Sequence, residues 1–139
     1  MLFRIFPFAL TLSLLSSCDN TANNKNSIVG YWQLTKGLRN RTETPTLQGV
    51  YYQFGADGKM QTNLPIGAEQ PTDYTVQEDK IEQKSPQPIN YHIQLLTDSI
   101  LVLTTELRGI PFEFHLQRIL NPPATPPSLY QESDDSTSR

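Results

Sequence analysis

Cysteine is nearly absent from this chain, because Cys18 is the only one in 139 residues. A single thiol excludes an internal disulfide, so a folded domain here depends on apolar burial, which contributes about 25 cal/mol per Å². There is also no basic excess: 11 Lys and Arg stand against 14 Asp and Glu, whereas nucleic-acid binding needs a clustered basic surface. The two histidines, His92 and His115, have no cluster of acids near them in the sequence, so no set of three or four zinc ligands is expected.

Long apolar runs are also missing, and the longest lies at the N-terminus. Arg4 precedes the apolar residues 5–15, and Ser16, Ser17 and Cys18 follow. A helix that spans a bilayer needs about 20 apolar residues, so this run is too short to be one. A basic start, an apolar middle and small residues at the end are typical of a secretory signal peptide.

The sequence from Leu15 to Cys18, Leu-Ser-Ser-Cys, resembles the lipobox of bacterial lipoproteins. The resemblance implies that residues 1–17 are a signal peptide that is removed, that Cys18 is lipidated, and that the new N-terminus is acylated. Stable anchoring needs more than one acyl chain, and this modification supplies several. We therefore expect a lipidated polar tether over 18–27 and a location in the bacterial cell envelope, facing the periplasm or the surface, with the membrane as a partner. The alternative is an ordinary signal peptide followed by a chance cysteine.

The C-terminal end is rich in proline, serine and acid. Four prolines lie within 122–127, and the chain after them is almost devoid of apolar residues. Proline removes backbone donors and is excluded from helices and central strands, so we expect 121–139 to be a disordered tail. An alternative is that the tail docks a partner as an extended proline segment.

Between these ends the dominant period is two, which indicates β-strands. Turn-forming residues separate eight predicted strands, at 28–35, 50–54, 59–62, 73–77, 80–84, 91–96, 100–104 and 111–119. No window shows a convincing helical apolar stripe. This pattern predicts an all-β antiparallel meander over 28–119, either a sandwich or an up-and-down barrel. The barrel is our first choice because closure leaves no exposed sheet edge.

The alternation along these strands also predicts which side chains face the interior. The inward set is Trp32, Leu34, Val50, Tyr52, Phe54, Tyr74, Val76, Ile81, Tyr91, Ile93, Leu95, Leu101, Leu103, Ile110, Phe112, Phe114 and Leu116. An eight-stranded barrel is just wide enough to be filled by such side chains or to hold one small ligand, and both interpretations stay open. The strand at 100–104 is apolar on both faces, so we expect a loop or a partner to cover Ile100 and Val102.

Three short motifs resemble those of lipocalins. Residues 30–32, Gly-Tyr-Trp, match the Gly-x-Trp of the lipocalin first strand, while 54–58 and 97–103 resemble hairpins of bacterial lipocalin-like lipoproteins. The resemblance covers the whole predicted barrel and implies binding of a small apolar or amphipathic ligand. It also implies that a basic residue of the last strand, here Arg118, stacks on Trp32. The alternative for Arg118 is a solvated position at the strand end.

The same resemblance implies a ligand site inside the barrel. The residues expected to line it are Trp32, Tyr52, Phe54, Tyr74, Tyr91, Ile93, Leu103, Phe112 and Phe114. The segment 37–48 is long enough to be the lid-like loop that follows the first strand in that family. It carries Arg39 and Arg41, which either meet an anionic group or are solvated.

No catalytic arrangement is evident in the sequence. The folded part, 28–119, has no cysteine nucleophile, no Gly-x-Ser-x-Gly and no glycine-rich phosphate loop. Glu106 and Glu113 flank the last hairpin; paired acids suit acid–base chemistry, but exposed hairpin acids are usually solvated. We therefore expect no catalytic residue, metal or cofactor. The leading hypothesis is an anchored ligand-binding lipoprotein. The alternative is an interaction module with a filled barrel that docks an envelope protein through Ile100, Val102 and the tail.

Overall fold

The structure, a computed structural model, describes most of the chain, over residues 24–25, 27–65 and 70–125. Several sequence predictions lie outside these residues: the signal peptide (1–17), the lipidation of Cys18, most of the tether (18–27) and the last part of the tail (126–139). No helix in the described ranges is long and apolar enough to cross a membrane.

Antiparallel strands make up most of the described chain. They are β1 (Gly30–Arg39), β2 (Thr42–Glu43), β3 (Tyr51–Phe54), β4 (Lys59–Thr62), β5 (Thr72–Gln77), β6 (Lys80–Lys84), β7 (Ile89–Leu96), β8 (Ile100–Leu107) and β9 (Ile110–Ile119), with a 3-10 helix at Pro45–Leu47. From β3 to β9 each strand pairs with the next, and β1 pairs with both β3 and β9. The ring is therefore closed by eight strands, and β2 only pairs with the end of β1. The predicted all-β, eight-stranded antiparallel barrel is confirmed.

The barrel is closed by the long ladder between β1 and β9, which runs from the Tyr31–Ile119 pair to the Arg39–Phe112 pair. A bulge at Thr35 interrupts this ladder, and the Thr35 hydroxyl donates to the carbonyl of His115 at 3.1 Å. The bulge adds one residue, so the residues of β1 beyond it change the face that they present.

The interior of the barrel is packed with large side chains. Those with less than 2 % exposure include Trp32, Tyr52, Phe54, Met60, Ile81, Tyr91, Leu101, Leu103, Phe114 and Leu116. Tyr52 is central: its ring centroid lies 5.6 Å from that of Tyr91 and 5.7 Å from that of Phe114, both at steep angles. Such edge-to-face contacts stabilise a core beyond the area that they bury.

The prediction that Leu95 faces the interior is wrong. It is 47 % exposed, because the register shifts between Ile93 and Leu95 and the extra residue turns Leu95 to the outer face. On the same face Val102 is buried, while Ile100 is 37 % exposed. Ile110 lies outside the core and is partly exposed, and the other predicted inward residues lie in the core or pack against it.

The two ends of the barrel differ. In an antiparallel meander, successive connections lie at opposite ends, so the β3–β4, β5–β6 and β7–β8 turns share one end. Ile28, fully buried, packs into the core beside the start of β1, and we call this the closed end. The segment after β1, the described parts of the β4–β5 connection (63–65 and 70–71) and the β6–β7 and β8–β9 connections form the other end, which we call the mouth.

Candidate functional site

Arg118 holds the closed end together. Its Cζ lies 4.2 Å from the ring centroid of Trp32, which is the stacking that the lipocalin resemblance implied. The guanidinium also donates to three backbone carbonyls: Nε to Asp98 at 2.6 Å, Nη1 to Val29 at 2.6 Å, and Nη2 to Ser27. Because this side chain is engaged on every side by the protein itself, we assign it a structural role.

Gly30 is required by the same arrangement. Its φ is +141°, and a Cβ at this position would lie 2.4 Å from Nη1 of Arg118. Any side chain here would displace the guanidinium from Trp32. The Gly-x-Trp motif is therefore one half of a structural contact whose other half lies at the end of β9.

The side chains predicted to line a ligand site are mostly in the filled part of the barrel. Trp32, Tyr52, Phe54, Tyr74, Tyr91, Leu103 and Phe114 are buried among one another, and Ile93 packs against them. Of the predicted set, Phe112 lines an open cavity. Sequence alternation distinguishes inward from outward residues but carries no information about depth, and in so small a barrel the deep layers fill themselves.

The mouth contains a cavity of about 650 Å³, here called the mouth cavity. Its lining residues come from all four connections at this end and from the strand ends beside them: Arg39, Thr46, Leu47, Leu64, Pro65, Gln87, Pro88, Ile89, Glu106, Leu107, Arg108, Ile110 and Phe112. Most of the wall is apolar, and three charged side chains belong to the rim. Its volume lies within the roughly 300–1,000 Å³ that is usual for small-molecule sites.

A second cavity of about 610 Å³, here called the side cavity, is lined by the mouth ends of β7, β8 and β9 together with Leu38 and Arg41. The ladder between β7 and β8 ends at the pair His92–Thr104, and beyond it Thr105 Oγ1 donates to the carbonyl of Asn90 at 2.7 Å. The two cavities share Pro88, Ile89, Glu106 and Phe112. The two cavities therefore adjoin along these four residues.

The acids considered for catalysis lie at the side cavity. Glu106 and Glu113 both line it, together with His92. Glu113 Oε1 lies 2.5 Å from Nε2 of His115, so this carboxylate is already paired with a side chain of its own strand. Within the described ranges, no group of three or more His, Cys, Asp or Glu side chains is placed to hold a metal ion.

No protein-family model and no curated protein matches this chain. Among solved structures, the crystal structure of a lipocalin-like protein from Bacteroides uniformis ATCC 8492 is similar, with a TM-score of 0.50 and 16 % sequence identity. The similarity covers 67 % of this chain and 99 % of that chain. The fold is lipocalin-like.

Several residues lining the mouth of this lipocalin-like barrel were missed by the sequence prediction. Ile89 and Leu107 lie beyond the predicted ends of β7 and β8. The sequence did indicate that both strands extend this far, because Ile89 continues the alternation of Tyr91 and Ile93, and Leu107 continues that of Leu103. Leu47 and Leu64, in contrast, lie in connections without periodicity, and only the folded chain shows that they face the cavity.

The charges at the rim are unbalanced. Arg39 and Arg108 line the mouth cavity with one acid, Glu106, and all three are exposed. Within the part of the chain that the structure describes, neither arginine forms an ion pair or a side-chain hydrogen bond. The rim therefore presents two free guanidinium groups above an apolar wall.

Buried polar groups lie behind the apolar wall of the mouth cavity, on the side of the barrel interior. Gln83, opposite Ile89 in the ladder, is fully buried, and Tyr91 Oη donates to its Oε1 at 3.1 Å. The Nε2 of Gln83 and the Oη of Tyr52 have no hydrogen-bond partner among the described residues. Burial raises the pKa of Tyr52 well above 10, and the neighbouring Tyr91 phenol adds to this shift.

Proposed function

We propose that this chain is a non-catalytic, lipid-anchored protein of the bacterial cell envelope that binds one small apolar or amphipathic molecule in the mouth cavity. The observation that carries the proposal is an apolar-walled cavity of about 650 Å³, open at one end of a closed barrel. Because the deeper interior is filled, the mouth is where the barrel offers room for a ligand.

The walls of the mouth cavity suit an apolar chain. Leu47 and Leu64 are each only 7 % exposed, and Ile89 and Phe112 pack partly against the core, so the wall is held firmly from behind. Each ligand methylene buried against such a wall contributes about 0.8 kcal/mol to binding. A preformed apolar cleft with a few polar groups at its edge is the common form of a small-molecule site.

The anchor and the location are supported by the sequence. The basic start, the apolar run and the Leu-Ser-Ser-Cys ending form a lipoprotein signal, and attachment through Cys18 would hold the barrel close to the membrane. A non-catalytic role is supported by the side chains of the two cavities, which lack a nucleophile paired with a base.

Native mass spectrometry of the purified full chain tests the proposal. We expect a small molecule that copurifies, or that is taken up from a lipid extract, in an equimolar complex. Ile110→Trp places a large ring at the cavity and should abolish the complex, whereas Leu120→Trp, at a position 84 % exposed and outside the cavity, should retain it. A native chain that takes up no molecule, or an Ile110→Trp variant that binds as well as the control, would contradict the proposal.

A second candidate function is the interaction module. It is favoured by an apolar patch on the outer face of β7 and β8, where the exposed Leu95 and Ile100 flank Val102. Under this function Leu95→Glu with Ile100→Glu would abolish association with an envelope protein in crosslinking experiments. The same double variant would leave uptake of a small molecule unchanged if the mouth cavity is the ligand site.

A further inference from the structure

We infer that the molecule held in the mouth cavity is a single-chain amphiphile with an anionic headgroup, its charge lying between Arg39 and Arg108 and its apolar chain against the cavity wall. This inference rests on the proposed function and adds the chemical class of the ligand. It is carried by the placement of the two arginines, by their lack of partners and by the backbone that presents one of them.

The two arginines reach the rim from different hairpins. Arg39 is the last residue of β1 and lies opposite Phe112 in the ladder with β9, next to the cavity wall. Arg108 lies in the tight turn between β8 and β9. Both line the same cavity, and among its described lining residues Glu106 is the one acid. The described side chains of the rim therefore carry a net positive charge next to apolar side chains.

Arg108 has a left-handed backbone conformation, which glycine, asparagine and aspartate adopt more easily than arginine. Arg108 has a φ of 53°, and in the neighbouring turn Asn40 and Arg41 have φ values of 50° and 64°. Tight hairpin turns of this kind favour glycine, asparagine or aspartate, and a left-handed conformation costs other residues about 1–2 kcal/mol. Strain at such positions is common at ligand sites. The tight turn holds the backbone of Arg108 at the rim of the mouth cavity.

The chemistry of the rim selects the headgroup. A guanidinium offers paired N–H donors that match the oxygens of a carboxylate, phosphate or sulfate group. Because both arginines are exposed, an anionic headgroup here stays partly hydrated and avoids the large cost of burying a charge. A neutral headgroup would leave the guanidinium groups unpaired, and a cationic one would be repelled.

Calorimetric titration of the purified full chain with dodecanoate and with dodecanol tests the inference, because the two probes share one alkyl chain and differ in the headgroup. We expect dodecanoate to bind about tenfold more tightly, as charge-assisted hydrogen bonds of this kind allow. The preference should shrink as salt is raised, since the rim is exposed to solvent.

A double variant locates the headgroup. The double variant Arg39→Gln with Arg108→Gln should bind dodecanoate only as tightly as it binds dodecanol, and its affinity for dodecanol should equal that of the native chain. The matched control is Lys25→Gln with Lys36→Gln, which removes the same charge from two exposed positions outside the cavities. This control should retain the full preference for dodecanoate.

The outcomes separate this inference from the proposed function. Equal binding of both probes, or a preference that survives in the arginine variant, overturns the headgroup assignment and leaves the proposed function standing. Binding of neither probe contradicts both. Vesicles of phosphatidylglycerol distinguish the source of the headgroup: arginine-dependent binding to vesicles, with no binding of free dodecanoate, would assign the rim to a membrane surface and overturn the single-chain ligand.

Discussion

At the scale of single residues, Gly30, Trp32 and Arg118 act as one unit although the first and the last are at opposite ends of the barrel sequence. The indole donates from Nε1 to the carbonyl of Ile28 at 2.8 Å, and the guanidinium covers its ring. This unit fixes β1 against β9 at the closed end. The motif tryptophan is fully buried there, so its role is in the fold and the ligand chemistry lies elsewhere.

Gly30→Ala should destabilise the protein by about 3 kcal/mol, because the new Cβ would overlap Nη1 of Arg118 and the positive φ is unfavourable for alanine. Gly58→Ala is the control: its φ is +80°, but nothing lies within 4 Å of the added Cβ. We expect this control to cost about 1 kcal/mol. Urea unfolding followed by Trp32 fluorescence measures both, and equal losses would disprove the steric role of Gly30.

Tyr52 and Tyr91 differ in hydrogen bonding, and their phenylalanine variants should differ in stability. Tyr52→Phe removes a buried hydroxyl that forms no hydrogen bond of good geometry and has the Tyr91 phenol as its polar neighbour, so it should leave the free energy of unfolding at pH 7 unchanged or raise it by up to about 1 kcal/mol. Tyr91→Phe leaves Oε1 of Gln83 without its donor and should lower it by about 1–3 kcal/mol. Chemical denaturation of the two variants side by side decides the question, and a loss of stability in both would contradict the assignment.

The same tyrosines give a prediction for alkaline pH. Their pKa values are raised by burial, so above pH 10 the unfolded chain loses phenol protons that the folded chain keeps. Stability should therefore be constant below the ordinary tyrosine pKa and fall above it, by up to about 1.4 kcal/mol per pH unit for each buried phenol. The fall should be less steep in Tyr52→Phe, and an unchanged slope in a pH series of unfolding curves would count against a deeply buried Tyr52.

At the scale of elements, the ladder between β7 and β8 ends before the strands reach the mouth. Their ladder stops at His92 and Thr104, and the Thr105 hydroxyl bridges the strands beyond that point. Thr105→Val keeps the shape but leaves the Asn90 carbonyl without this donor, so we expect a loss of about 1–2 kcal/mol. Hydrogen exchange should speed up at the start of β7 and stay unchanged in β5 and β6. Uniform exchange across the sheet would show that the bridge is not a local support.

The strands could be predicted from the sequence and the cavity could not. Period-two alternation is a local property, so it predicted the eight barrel strands apart from their mouth ends and the start of β1, which is at Gly30 and not at residue 28. Leu95 was placed on the wrong face because a bulge is a property of two paired strands and leaves no mark in one of them. The mouth cavity is assembled from four separate connections and the strand ends beside them, so its shape exists only after the barrel closes.

At the scale of the whole molecule, the two ends of the barrel have different roles: one stabilises the fold and the other has room for a ligand. The closed end is fixed by Arg118, Trp32 and the buried Ile28, and the middle is filled by aromatic rings. The mouth is the end where the side chains stop short of filling the barrel. A ligand that enters there can bind without rearranging the core, so binding should leave the deep layers unchanged.

Methyl NMR of the full chain, titrated with dodecanoate, tests this division most directly. We expect chemical-shift changes for the methyl groups of Leu47, Leu64 and Ile110, which line the mouth cavity, and none for those of Ile81 and Leu101 in the filled interior. Shifts confined to Leu95 and Ile100 on the outer face, or shifts in the deep methyl groups with none at the mouth, would contradict this division.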